Sequence, residues 1–196
     1  MISPRSEPIV NELEASIDRL LGLGARCDAN SWLRTTVAEG WTVAAVFHHV
    51  SVGNRQLLRW MKEIVAGRAT TETWQDVHRA NAEHARLFSE CEQMATLRLL
   101  RTVRDEGVAF LESLSDVDLD QSASCGLYDE ERSVSEVAEW MAGHATDHLD
   151  SLRAVLPAAV TSPDPAGEIR PLSSGGGEVP RALATPTSAT ELSRQP

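Results

Sequence analysis

From residue 9 onward the apolar positions fall at steps of three and four. Ile9, Leu13, Ile17, Leu20 and Leu21 form one stripe, which predicts an amphipathic helix ending near Gly22-Leu23-Gly24. After a connector containing Trp32, Thr42 suits the N-cap of a second helix. That helix carries Val43, Val46, Val50, Leu57, Trp60 and Ile64 and stops at Gly67, just after Ala66. A third helical segment spans about Thr73 to Cys91, with Trp74, Val77, Leu87 and Phe88 as its apolar positions. Thr96 is the expected cap of the next, which holds Leu99, Leu100, Val103, Val108, Phe110, Leu111 and Leu114. Residues 115–132, Asp-rich and containing Ser122, Ser124 and Gly126, predict a loop. Ser133-Val134-Ser135-Glu136 is a capping-box pattern, and it opens a last helix to about Leu156. No segment alternates at period two, so no sheet is expected beyond a short pairing. The fold class is all-α, a helical bundle.

Proline placement sets the limits of that bundle. Pro4 and Pro8 come first, the other prolines start at Pro157, and Val10 to Leu156 contains none. Every tryptophan and phenylalanine precedes residue 157, and Ser173-Ser174-Gly175-Gly176-Gly177 lies beyond it. The expected division is a folded domain over 6–156 and a disordered tail over 157–196, because the latter lacks the apolar surface to offset its ordering entropy.

Charge and cysteines narrow the function classes. A net charge of -11 gives no positive patch for nucleic acid or an anionic membrane surface. No apolar run approaches the ~20 residues of a membrane span. Glu7, Glu12, Glu14 and Asp18 stand where a secretory signal would be apolar. Cys27, Cys91 and Cys125 form no C-x-x-C pair, so neither a disulfide framework nor a cysteine metal site is expected. The expected setting is cytoplasmic, with a small molecule rather than nucleic acid or membrane as partner.

The histidines carry the candidate chemistry. His144 and His148 are at i and i+4 of the last predicted helix, on the face that carries Val137, Met141, Leu152 and Val155. Two imidazoles among aliphatic side chains need partners, and a shared metal ion supplies one for both. The competing explanation for such a pair is chance spacing, with each ring satisfied by a backbone carbonyl. On the second helix, 100° per residue puts His49 on the Val46–Val50–Gly53–Leu57 face, while His48 joins Ala44, Val52 and Arg55. His49 is therefore the inward group and a third candidate ligand; as a boundary pair, His48 and His49 would only fill space beside Trp41 and Phe47. Three histidines leave one tetrahedral position open, as in catalytic rather than structural sites. His84, on a stripe with Val77, Asn81, Phe88 and Cys91, is either a hydrogen-bonded core histidine or a fourth ligand or proton carrier. His78 is expected to face solvent. Cys91 reads as packing, and no general base is legible beyond the proximity of His84, Glu139 and Asp147.

Trp41-Thr42-Val43 followed by Val46-Phe47-His48-His49-Val50 resembles the W-[ST]-V-x-x-[VI]-x-x-H-[LV] signature of the DinB-like superfamily. His144-x-x-x-His148 within Glu139–Leu149 is similar to its C-terminal H-x-x-x-H element, and Leu114-Ser115-Asp116-Val117-Asp118-Leu119 to the stretch before its last helix. The resemblance covers about residues 6–156. It implies a four-helix bundle with up-up-down-down connections and a divalent metal site formed by His49, His144 and His148. Zinc is the expected metal, with nickel, iron or manganese as alternatives. Relatives of this kind include bacillithiol transferases and mycothiol-dependent maleylpyruvate isomerase, so the resemblance implies a thiol transferase using a low-molecular-weight thiol. Metal-dependent hydrolysis, a non-catalytic metal-containing binding module, and a metal-free bundle are the alternatives. An exposed helical face could also pair two copies as a homodimer.

Overall fold

A computed structural model describes residues 2–161 of the chain. Four long helices make the bundle: α1 (Ser6–Ala25), α3 (Val43–Val65), α5 (Gln93–Ser113) and α7 (Val134–Val155). Between them lie the short α2 (Ala29–Trp32), the intermediate α4 (Trp74–Leu87), and α6 (Asp116–Asp120). A two-stranded hairpin of β1 (Ser122–Ser124) and β2 (Glu131–Ser133) precedes α7, and α8 (Ala158–Thr161) follows it. The predicted stripes are the rows that pack. Leu13, Ile17 and Leu20 of α1 meet Val50, Leu57 and Met61 of α3, Leu100, Val103 and Leu111 of α5, and Val137, Met141 and Leu152 of α7 in one buried core. Each such side chain removed from water contributes roughly 1.5–3 kcal/mol, so this interior carries the fold.

Most boundaries follow local chemistry legible in the sequence. Thr42 accepts from the Ala45 N–H at the start of α3, and Gly67, at φ 70°, ends it in the left-handed conformation that only glycine adopts cheaply. Thr73 with Asp76, and Ser133 with Glu136, close reciprocal capping boxes.

Several expectations need correction. Glu92, not Thr96, caps α5: its carboxylate accepts from the Met94 and Ala95 N–H groups, while Thr96 sits inside the first turn and bonds back to the Glu92 carbonyl. α4 stops at Leu87 rather than Cys91, because Thr42 and the Trp32 indole take the carbonyls of Ser89 and Cys91 and turn the chain. The loop over 115–132 contains α6, capped by Ser115 and Asp118, and the short hairpin, which pairs Ala123 with Arg132. The expected tail begins with an ordered turn, since α8 buries Val160 and the Arg26 side chain donates to the Val160 carbonyl at 2.9 Å. The remainder of that tail, 162–196, lies outside the described residues.

The running directions also depart from the up-up-down-down expectation. Gly24 of α1 is close to Leu97 of α5, and Leu13 is close to Gly107, so these two helices are antiparallel. Ser16 bonds to Ala142 and Arg19 to Thr146, so α1 and α7 are parallel. Asn54 and His49 of α3 meet His144 and His148 of α7 in reverse order, hence antiparallel. Along the chain the order is up, down, down, up. The cause is α4: it carries the chain back along α3, so that α5 starts at the same end as α3 and runs parallel to it.

Candidate metal centre

The α3–α7 seam contains the histidines singled out above. His49 leaves α3 two turns after the Thr42 cap, and His144 and His148 leave adjacent turns of α7; all are buried. One ring nitrogen from each lies within 4.8 Å of the others. The Nε2 atoms of His49 and His144 are 3.3 Å apart. Ligands ~2.0–2.1 Å from a tetrahedral ion are separated by ~3.3–3.4 Å, so this spacing suits a shared ion.

The remaining ring nitrogens are tied down from outside the cluster. His148 Nδ1 donates to Glu39 Oε1 at 3.0 Å, with both side chains almost sealed from solvent (0% and 3% exposed). Its Nε2 therefore keeps a lone pair, and that atom is buried with no protein partner among the described residues. His144 Nδ1 pairs with Asn54 Oδ1 at 2.8 Å, which likewise leaves its Nε2 as the lone-pair nitrogen. An outer carboxylate or amide holding a histidine's far nitrogen is how metal-binding imidazoles are oriented. A buried polar atom with no partner is costly, about 1–3 kcal/mol, and a cation removes that cost for His148. The residues fit a metal ion.

Electrostatics agree with a neutral His144 ring. Burial, together with repulsion from His148, pushes His144 down to about 3. Burial raises the Glu39 carboxyl, but hydrogen bonds from His148, Ser151 and Thr36 outweigh it and hold Glu39 down to about 2. Glu39 is thus a fixed negative charge behind His148, and Ser151 Oγ donates to the same oxygen at 2.7 Å.

The other sequence candidates fall around this cluster. His48 is half-buried and outside it, as the helical-wheel argument expected. It stacks on Phe88 at 3.8 Å, and its Nδ1 is 3.3 Å from His84 Nε2. His84 stands 5.8 Å ring to ring from His49, beside the cluster rather than in it, and burial, with repulsion from His48, pushes it down to about 4. His78, expected in solvent, is half-buried against Trp74. Glu139 and Asp147 occupy exposed positions of α7. Cys91 donates to the Ala44 carbonyl and burial pushes its thiol up, the behaviour of packing rather than of a nucleophile.

Sequence reasoning missed Glu39 and Asn54. Asn54 could have been noticed, since an amide in the interior of an apolar helix is unfavourable without a specific partner. Glu39 carries no comparable signal: its position follows from the turn at Gly40 (φ 69°), which swings the loop over α7. Trp41, next in the chain, lays its ring edge-on to His49 at 5.1 Å.

Comparison with known proteins adds one match. A family model described as the DinB superfamily covers residues 12–152. No curated protein and no solved structure gives a significant match.

Proposed function

The chain belongs to the DinB superfamily, and from that premise we propose that it is a metal-dependent transferase acting on a small electrophilic substrate with a low-molecular-weight thiol. His49, His144 and His148 are the proposed ligands, with zinc as the first choice of ion. When bound, such an ion acts as a Lewis acid and lowers the pKa of a thiol or water by several units.

What the protein contributes is orientation and exclusion of water. Glu39 and Asn54 fix the tautomers of His148 and His144, so that the lone pairs face one point before anything binds. The Glu39 charge strengthens His148 as a donor through the Nδ1 hydrogen bond. Buried Val50, Met141 and Ala145 on the same helix turns keep the surroundings apolar, where electrostatic interactions are stronger than in water. With three candidate protein ligands among the described residues, one place of a tetrahedral ion stays open to a reactant. No helix among the described residues is long and apolar enough to cross a membrane, and the proposed setting is cytoplasmic.

The observation that carries this proposal is His148 Nε2, sealed in the core with its own tautomer fixed and no hydrogen-bond partner among the described residues. Elemental analysis of the purified protein tests the metal, with near one ion per chain expected and a ratio near zero contradicting the proposal. Thiol use is tested on cobalt-substituted protein: its visible spectrum should change on adding mycothiol or bacillithiol. An unchanged spectrum argues for hydrolysis or a non-catalytic binding role instead.

A further inference from the structure

The histidines of the α3–α7 seam are closed off from solvent: His49 is 5% exposed, His144 1% and His148 0%. Whatever reaches them must displace part of their cover. On the outer side, two segments touch the cluster. One is the turn over 36–41, which Glu39 ties to His148 and Ser151. The other is α4, which lies along α3. His84 sets its ring 5.8 Å from that of His49, and Trp74 is edge-on to Tyr128, which lies 5.4 Å from Trp140 of α7. α4 thus spans the outside of the seam.

This second cover is weakly held. Each long helix buries several side chains in the common core, whereas α4 buries none. Trp74, Val77, Asn81 and His84 follow at steps of three and four and so share one side, yet each is only half-buried. The chain is fastened just outside both ends of the helix. Before it, Glu72 accepts from Gln56, Arg59 and Trp60; after it, Thr42 and the Trp32 indole donate to the carbonyls of Ser89 and Cys91. Between those fastenings, His84 is the one α4 side chain that hydrogen-bonds to the bundle among the described residues, through His48 Nδ1 at 3.3 Å. His78 Nδ1 and Asn81 Nδ2 are shielded from solvent with no hydrogen-bond partner among the described residues. Sealed polar atoms left unpaired make the docked position less favourable, and water would satisfy both on opening. Segments with few buried apolar contacts are the ones that open locally at the lowest free energy.

We propose that α4 is a gate: it lifts off the four-helix core as a unit, and this opening is the step that admits molecules to the histidine cluster. The core can stay closed meanwhile, because none of its buried side chains comes from α4. That an ion and a reactant are what pass rests on the metal-dependent function proposed above; the opening itself needs no metal.

The test is amide hydrogen exchange of the metal-stripped full-length protein, together with carbethoxylation of His49 by diethyl pyrocarbonate. Amides across Trp74–Leu87 should exchange at least tenfold faster than those in the middle of α3, α5 and α7. Thr73 is exposed and caps α4 by accepting from the Asp76 N–H, so Thr73→Ala loosens this helix without touching the cluster. It should speed exchange throughout α4, and labelling of His49, by about fivefold, and Thr73→Ser should restore both. Three results overturn the proposal: α4 as protected as the long helices, a response to Thr73→Ala confined to the first turn, or His49 labelling no faster than exchange of the long helices. If the alanine variant does not fold, the native chain's exchange and labelling rates decide. Zinc uptake by the same stripped protein, followed by stopped flow with a chromophoric indicator, should also quicken about fivefold in Thr73→Ala. Uptake at an unchanged rate overturns the gate, whereas no uptake at all defeats the metal-dependent reading and leaves exchange and labelling to decide.

Discussion

Gly53 faces the His144 imidazole so closely that a methyl group on it would collide with ring Cε1 and lie 3.1 Å from Nδ1. Glycine in a helix interior costs about 1 kcal/mol relative to alanine, so the residue is kept here for the room it leaves. Gly53→Ala should therefore push His144 away from His49 despite improving helix propensity. The expected outcome is a lower melting temperature and a metal content well below that of the native chain. A variant that is more stable and equally loaded would show that the ring has space to retreat.

The outer partners are separable from the ligands. Glu39→Gln keeps an oxygen facing His148 but removes the charge, whereas Glu39→Ala removes both. Losses of about tenfold and about a hundredfold in zinc affinity are expected, measured by competition with a chromophoric chelator.

Ligand and neighbour should also separate. His148→Ala should abolish metal binding, and His48→Ala should leave most of it, because His48 pairs with His84 outside the cluster. Elemental analysis of both variants checks this. Severe loss in His48→Ala would mean that the α3 side of the site is misassigned.

Acid should destabilise the metal-free protein, and the sign follows from the direction of the shifts. His144 and His84 are held down to about 3 and about 4 in the folded chain, against 6.5 ordinarily. Between those limits the unfolded chain binds more protons, so stability falls as pH drops below about 6.5. Glu39, held at about 2 against 4.5, adds a further loss below about pH 4.5. Urea midpoints should stay nearly level from pH 8 to 7 and decline from 6.5 downward; a flat profile to pH 5 would contradict the buried neutral histidines. Metal loss should track the same range, since ligand histidines must be unprotonated.

The short α8 offers a fifth test. A chain ending at Leu156 loses the buried Val160 and the Arg26 hydrogen bond to its carbonyl, whereas one ending at Thr161 keeps both. The shorter form should be less stable by about 1–2 kcal/mol in urea unfolding.

What the sequence disclosed was mostly local. Thr42 and Ser133 could be recognised as caps because capping depends on residues within one turn. The facing of His49 over His48 came from helical period alone. Glu92 was missed as a cap because a threonine four residues later offered the more familiar signal, and both bond to the same turn. Glu39 and the order of helix directions were illegible for another reason: they depend on which helices become neighbours. Periodicity identifies the buried side of α3 and of α7 without saying that α4 makes α3 parallel to α5, or that a loop glutamate will come to rest behind His148.

His49 and His144 are 95 positions apart in sequence, and only closure of the whole bundle makes them neighbours. A partly folded chain with α1 and α3 formed but α7 undocked has only His49 of the three histidines in place and little hold on an ion. Any cation the cluster retains is therefore linked to the complete native state and stabilises it by mass action, more strongly as free metal rises above the dissociation constant. Supply of the ion would then set how long the molecule survives proteolysis as well as whether it can react.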